Sequence, residues 1–221
     1  MISPIFTTIV ISFLCIMVYM KITTARFNTG DDKRLEEERQ ANSVRRKSLD
    51  ELEYIDIPFD SLPFTQSGAE NVDEETGGKD EILAKDEAAV LSLRDKKIVN
   101  FTGISNTDLK LTYGAPNLPL LSEYDQNYTH LVKSLDSWGN HLIERNLKAE
   151  ARKVLEFAVE CKTDLKSSYL PLADIYVENF EFDRLDHLIE VAGNINSLMK
   201  GPIKRALKEK GDITKYVEEK K

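Results

Sequence analysis

The chain is poor in the residues that carry most enzyme chemistry. Its three histidines, His130, His141 and His187, form no H-x-x-x-H pair and no histidine–cysteine set at ligand spacing. The two cysteines, Cys15 and Cys161, cannot build a disulfide framework, and Cys161 has only Lys162 nearby to activate a thiolate. No G-x-G-x-x-G, P-loop or G-x-S-x-G run is present, so no enzyme, cofactor, metal or small-molecule substrate is expected. A basic surplus is missing too: 30 Lys and Arg against 38 Asp and Glu leave a net charge of −8, which argues against a nucleic-acid binder held by phosphate contacts. At 221 residues there is room for one ordinary domain with appendages, or two very small ones.

No charged side chain precedes Lys21, and Ile5 to Met20 (IFTTIVISFLCIMVYM) holds only apolar residues and small hydroxyls. With Ile2 and Ile22 at its ends, the run reaches the ~20 residues that a bilayer-spanning helix needs. Residues 1–22 are therefore expected to be a transmembrane anchor touching the bilayer through 2–22. Nothing basic precedes the run and Tyr19-Met20-Lys21 follows it, so a cleaved signal peptide is the weaker alternative. Lys21, Arg26, Lys33 and Arg34 lie downstream with no Lys or Arg upstream, which predicts a single-pass topology with the N-terminus outside and the C-terminal domain cytoplasmic.

Residues 23–97 read as a juxtamembrane charged region followed by an acidic flexible linker. Acids and bases crowd 31–53 with little to bury, and 66–81 (QSGAENVDEETGGKDE) combines acids, Gly and Ser. Between them lies an apolar island, Tyr54 to Phe64. Ile55, Ile57 and Phe59 alternate there, Leu62 and Phe64 follow, and Pro58 and Pro63 forbid a continuous helix. The island is either an extended docking peptide or a loop over an edge of the folded part. Asp80 to Lys97 is a plausible weak helix, and 98–121, with its prolines and glycines, is expected to form an extended N-terminal cap segment.

From Ser122 the apolar period becomes helical and stays so. Ser122 with Asp125 resembles a capping box, and Tyr128, Leu131, Val132, Leu135, Trp138 and Leu142 make one stripe. Helices follow through Ala151–Val159, after Ser167, through Leu185–Ala192, and after Gly201-Pro202; residues 211–221 are a polar tail. One constant shift superposes the two hairpins: Leu135 falls on Tyr169, Trp138 on Leu172, Gly139 on Ala173, Leu142 on Tyr176, Ala151 on Leu185, Leu155 on Ile189 and Ala158 on Ala192.

That shift is the tetratricopeptide period of about 34 residues, and 122–210 resembles that family through its large-small steps, Trp138-Gly139 and Leu172-Ala173, and through Ala158 and Ala192. The family's terminal prolines are absent, and Leu185 stands where Ala is usual. The resemblance implies an all-α stack of αα-hairpins with a capping helix, and a concave face lined by Lys133, Asp136, Asn140 and Glu144, then Leu170, Asp174 and Glu178. Family members that grip a terminal carboxylate need a lysine where this chain has Asp136, so that ligand class is disfavoured. The function these readings imply is a membrane-anchored, non-catalytic adaptor or scaffold with a protein partner and no nucleic acid; the alternative is a structural spacer or subunit of a larger membrane complex.

Overall fold

Helical periodicity dominates the chain, and the elements it forms are helices. The computed structural model describes residues 4–64 and 77–218. It contains α1 (Pro4–Ser43), α2 (Gly77–Leu91), α3 (Asn106–Tyr113), α4 (Leu118–Glu144), α5 (Lys148–Glu160), α6 (Lys166–Glu178), α7 (Phe182–Asn194) and α8 (Lys200–Glu218), with a 3-10 turn at Ala115–Asn117. No strand occurs among the described residues. The chain divides into two units: the first comprises the residues up to Leu49 together with Ser105–Leu118, and the second comprises Asp50–Ile104 and the residues from Pro119 onward.

In the first unit α3 packs on α1. The Ser105 hydroxyl accepts from the Asp108 amide at 3.1 Å and the Asp108 carboxylate accepts from the Ser105 amide at 3.4 Å, a reciprocal cap that starts α3. Glu38 of α1 accepts from Lys110 and, at 2.6 Å, from Thr107, and these bonds, that from Lys110 foremost, hold its carboxyl below the ordinary glutamate range. Gly114 then turns the chain at φ +93°, where a Cβ would overlap the Arg45 carbonyl oxygen. That close approach is fixed by backbone bonds from Lys47 to Tyr113 at 3.1 Å and from Ala115 to Val44 at 3.1 Å.

The second unit holds two hairpins, α4–α5 and α6–α7, followed by α8, which packs on both α6 and α7. Both hairpins turn in the same way. Asn146 and Phe180 adopt φ 60° and 59°, and the next amides, Leu147 and Glu181, bond back to the carbonyls of Leu142 and Tyr176 at 2.9 and 2.8 Å, the closing bond of a left-handed helix terminus. The shift that superposes the hairpins also carries Asn146 onto Phe180. One apolar cluster joins α2, α4 and α5 around Trp138; another joins α5 to α8 around Tyr169, Leu172 and Leu188. Gly139 lets α4 meet α5, since a Cβ there would overlap the Leu155 side chain.

Several expectations are corrected. Among the described residues no helix is long and apolar enough to cross a membrane, which overturns the anchor over 1–22, its bilayer contact through 2–22, the outside-to-cytoplasmic topology and both membrane-bound functional readings. Beyond Lys21, α1 continues unbroken through the acid–base run to Ser43. The 23–97 tether is largely structured: it includes the second half of α1, the strap over 54–64 and α2. Of the flexible linker expected over 66–81, residues 66–76 lie outside the described residues, as do 1–3 and the tail's 219–221; the rest of that tail, from Gly211 to Glu218, belongs to α8. The extended cap over 98–121 instead contains α3 and the start of α4, because Ser105 and Asp108 cap the former and Pro119 fits the first turn of the latter.

Candidate binding cleft of the second unit

The face left over from the helical stripes is spent on holding the helices together. Asp136 of α4 accepts the hydroxyls of Ser167 and Ser168 at 2.9 and 2.6 Å, across the first turn of α6. Asn140 donates to the Asp136 carbonyl at 2.7 Å and to the Ser167 carbonyl at 3.4 Å. Asp174 is paired with Lys210 of α8, and Glu178 with Lys148 of α5 at 2.5 Å. Leu170 packs half-buried on the second cluster, while Lys133 and Glu144 are exposed. None of these residues lines the cleft that the second unit does form.

Of the residues paired by the repeat shift, Leu135, Trp138, Leu142, Ala151, Leu155, Ala158, Tyr169, Leu172, Ala173, Tyr176, Leu185 and Ala192 are buried, Gly139 is buried, and Ile189 is half-buried against the second cluster. Of the island, Leu62 lies within the first cluster and Ile55, Ile57 and Phe64 pack against it, with Phe59 stacked on Phe64 at 5.9 Å between ring centres.

A cleft of about 470 Å³ opens where α5, α6 and α7 meet, within the size range of ligand-binding pockets. Val159, Leu172, Leu188 and Val191 supply its apolar walls, and Glu156, Glu160, Lys162, Arg184 and His187 its charged rim. Its geometry is set by an ion network that the sequence reading did not single out. Arg152 grips Glu181 with two parallel bonds of 2.7 and 2.8 Å and reaches Glu156 at 2.9 Å. Arg184 lies 3.0 Å from Glu181 and 3.3 Å from Glu156. Tyr176 donates to Glu156 at 2.8 Å, and its ring lies under the Arg152 guanidinium at 5.2 Å. The hydrogen bonds from Arg152 hold Glu181 below the ordinary carboxylate range, and Glu181 in turn raises Arg152. Burial, reinforced by the bond to Glu156, raises the Tyr176 phenol. Two spacings in the sequence hinted at the network, Arg152–Glu156 at i,i+4 and Glu181–Arg184 at i,i+3; its long-range bonds had no local signal.

The groups nearest to catalytic chemistry do not form a nucleophile relay. Asp86 of α2 accepts from Ser137 at 2.8 Å and lies 2.6 Å from His141 Nδ1. Ser137 Oγ also lies 3.5 Å from the same Nδ1, so the three side chains close a triangle, whereas nucleophile activation sets serine and carboxylate on opposite nitrogens of the ring. Cys161 is buried, and that burial pushes its thiol up to about 12, far from a reactive thiolate at neutral pH. No group of three or more metal-ligating side chains occurs among the described residues.

No protein-family model matches the chain, no curated protein matches it, and no solved structure matches it. The tetratricopeptide assignment is therefore withdrawn. The chain repeats its own hairpin and turn, but it lacks the terminal prolines and carries Leu185 in a small-residue place; what stands is an all-α fold.

Proposed function

We propose that the second unit is a non-catalytic interaction module that receives a short amphipathic helix of a partner protein in the cleft between α5 and α7. The observation that carries this reading is the cleft itself, with apolar walls of Val159, Leu172, Leu188 and Val191 framed by the polar side chains of Glu156, Glu160, Lys162, Arg184 and His187. A helix with a narrow apolar stripe flanked by polar side chains fits that pattern. The Arg152–Glu156–Glu181–Arg184 network supports it by fixing the spacing of the two walls before a ligand arrives, which lowers the ordering cost of binding. Site-specific photocrosslinking tests the reading. A photoreactive residue at His187 or Glu160 should give a discrete adduct that Val191→Lys abolishes, and one at exposed Leu198 should not. Equal labelling from all three positions, or none, would refute it.

A further inference from the structure

Elsewhere in this unit the chain's own strap covers the first apolar cluster. Residues 54–64 run across α2 and α4 without regular structure. Among the described residues, a single backbone–backbone hydrogen bond, from the Ile55 amide to the Ile98 carbonyl at 2.9 Å, ties the strap to the rest of the unit. Its other backbone bonds are internal turns around Pro58 and Leu62. Ile55, Ile57, Phe59 and Phe64 are only half-buried and Leu62 alone of the strap is buried in the cluster, so most of the strap gains less from burial than core residues do.

The strap ends against a buried tryptophan. Phe64 lies 4.9 Å from Trp138, ring centre to ring centre. Trp138 is fully buried, yet its indole N–H has no acceptor among the described residues. An unpaired buried donor is a standing cost to the packing around Trp138.

The charge around the strap's seat states what it accepts. The Arg94 guanidinium sits over the Phe59 ring at 4.8 Å and the Lys97 ammonium over the Tyr54 ring at 5.0 Å, cation–π contacts at two places along the strap. Asp56 and Asp60 are exposed on the strap itself, and Asp50, Glu51 and Glu53 lead into it. An acidic segment with alternating aliphatic and aromatic side chains is therefore the complement of this surface.

We propose that residues 54–64 are a releasable internal ligand, and that the α2–α4 surface they cover binds an acidic, extended, aromatic-bearing segment of another protein in their place. The inference is independent of the α5–α7 cleft, which draws on the other apolar cluster. Covalent attachment keeps a weak ligand bound by holding it near millimolar effective concentration. A strap of ~100 μM intrinsic affinity would then weaken a competitor about tenfold.

The experiment uses the full chain and a fluorescent synthetic peptide of this chain's own residues 50–64 as the competing segment. Phe59→Asp and Phe64→Asp, each releasing the strap, should bind the peptide about tenfold more tightly than the parent in anisotropy titrations. Arg94→Glu/Lys97→Glu added to either should remove that binding. Emission from Trp138, the chain's one tryptophan, should shift to the red in Phe64→Asp and return on adding peptide. Equal peptide affinity in parent and released chains, or no binding to the released chains, overturns the proposal. Loss of the helical circular-dichroism signal in both releasing variants overturns it as well, because the strap is then core. A parent chain that dimerises as its concentration rises, with a parallel change in Trp138 emission, assigns the seat to a second copy's strap and overturns the foreign partner.

Discussion

Replacing Asp136 by alanine removes the acceptor on which α4 and the first turn of α6 meet. Ser168 is fully buried and donates to Asp136 at 2.6 Å, so in Asp136→Ala its hydroxyl is left unsatisfied in the interior, a loss of about 1–3 kcal/mol. Ser167, bonded at 2.9 Å, is exposed and can turn to water, which adds only a few tenths. Asn140 is untouched, because it bonds to backbone carbonyls. The expected destabilisation is therefore about 2–3 kcal/mol. Urea unfolding followed by Trp138 emission, two residues away on α4, reports it directly, with an unchanged slope against urea showing that the states compared are the same. Adding Ser168→Ala should recover most of the loss, since removing both partners leaves no buried polar group unpaired, and the cycle should give a coupling of about 1–2 kcal/mol. An Asp136→Ala chain within about 0.5 kcal/mol of the parent, the range of an ordinary surface substitution, would refute the assignment of Asp136 to the helix joint and return it to the exposed face.

Other expectations follow from the ion network and the turns. Glu181 is held below its ordinary value, so its contribution to stability is complete above the unfolded glutamate pKa of about 4.3 and is lost as pH falls through the lower folded value; the urea midpoint should drop on that acid limb, and less so in Glu181→Gln. Phe180 is 72% exposed at φ 59°, a conformation that Asn adopts more easily, so Phe180→Asn should raise stability by about 0.5–1 kcal/mol in thermal unfolding, and a loss would contradict the strain. Gly114→Ala drives a methyl into the Arg45 carbonyl at a left-handed position, and hydrogen exchange at the Lys47 and Ala115 amides should quicken by at least tenfold. Unchanged protection there would show that the turn tolerates a side chain.

That the regular elements are helices was legible because the apolar residues recur at helical spacing over long windows: Leu131, Leu135, Trp138 and Leu142 declare α4 without any tertiary information. Short elements escaped for the opposite reason. Helix α3 spans eight residues with Leu109 as its buried side chain, too few for a period to show, and its one clear signal was the Ser105–Asp108 cap. The apolar leader misled because a run of apolar letters does not state how the helix continues; α1 passes through Lys21 into the acidic stretch with no break.

Side-chain partners were less legible still, since a helical wheel shows which positions are left out of a stripe but not what arrives opposite them. Asp136 looked like a groove residue on α4 alone, and became a joint only when the start of α6 was placed against it. Glu181 stands immediately before α7, yet its carboxylate bonds to Arg152 and Arg184 and caps no amide of that helix. The same holds for the hairpin turns, where Asn146 announces a left-handed residue and Phe180, its counterpart in the second hairpin, does not. After Phe180 the Glu181 amide bonds to the Tyr176 carbonyl, and the Glu181 carboxylate is gripped by Arg152. The same closing bond forms after Asn146, so the left-handed residue belongs to the hairpin turn itself, and the Arg152 clasp on the Glu181 carboxylate is an addition that becomes visible only in three dimensions.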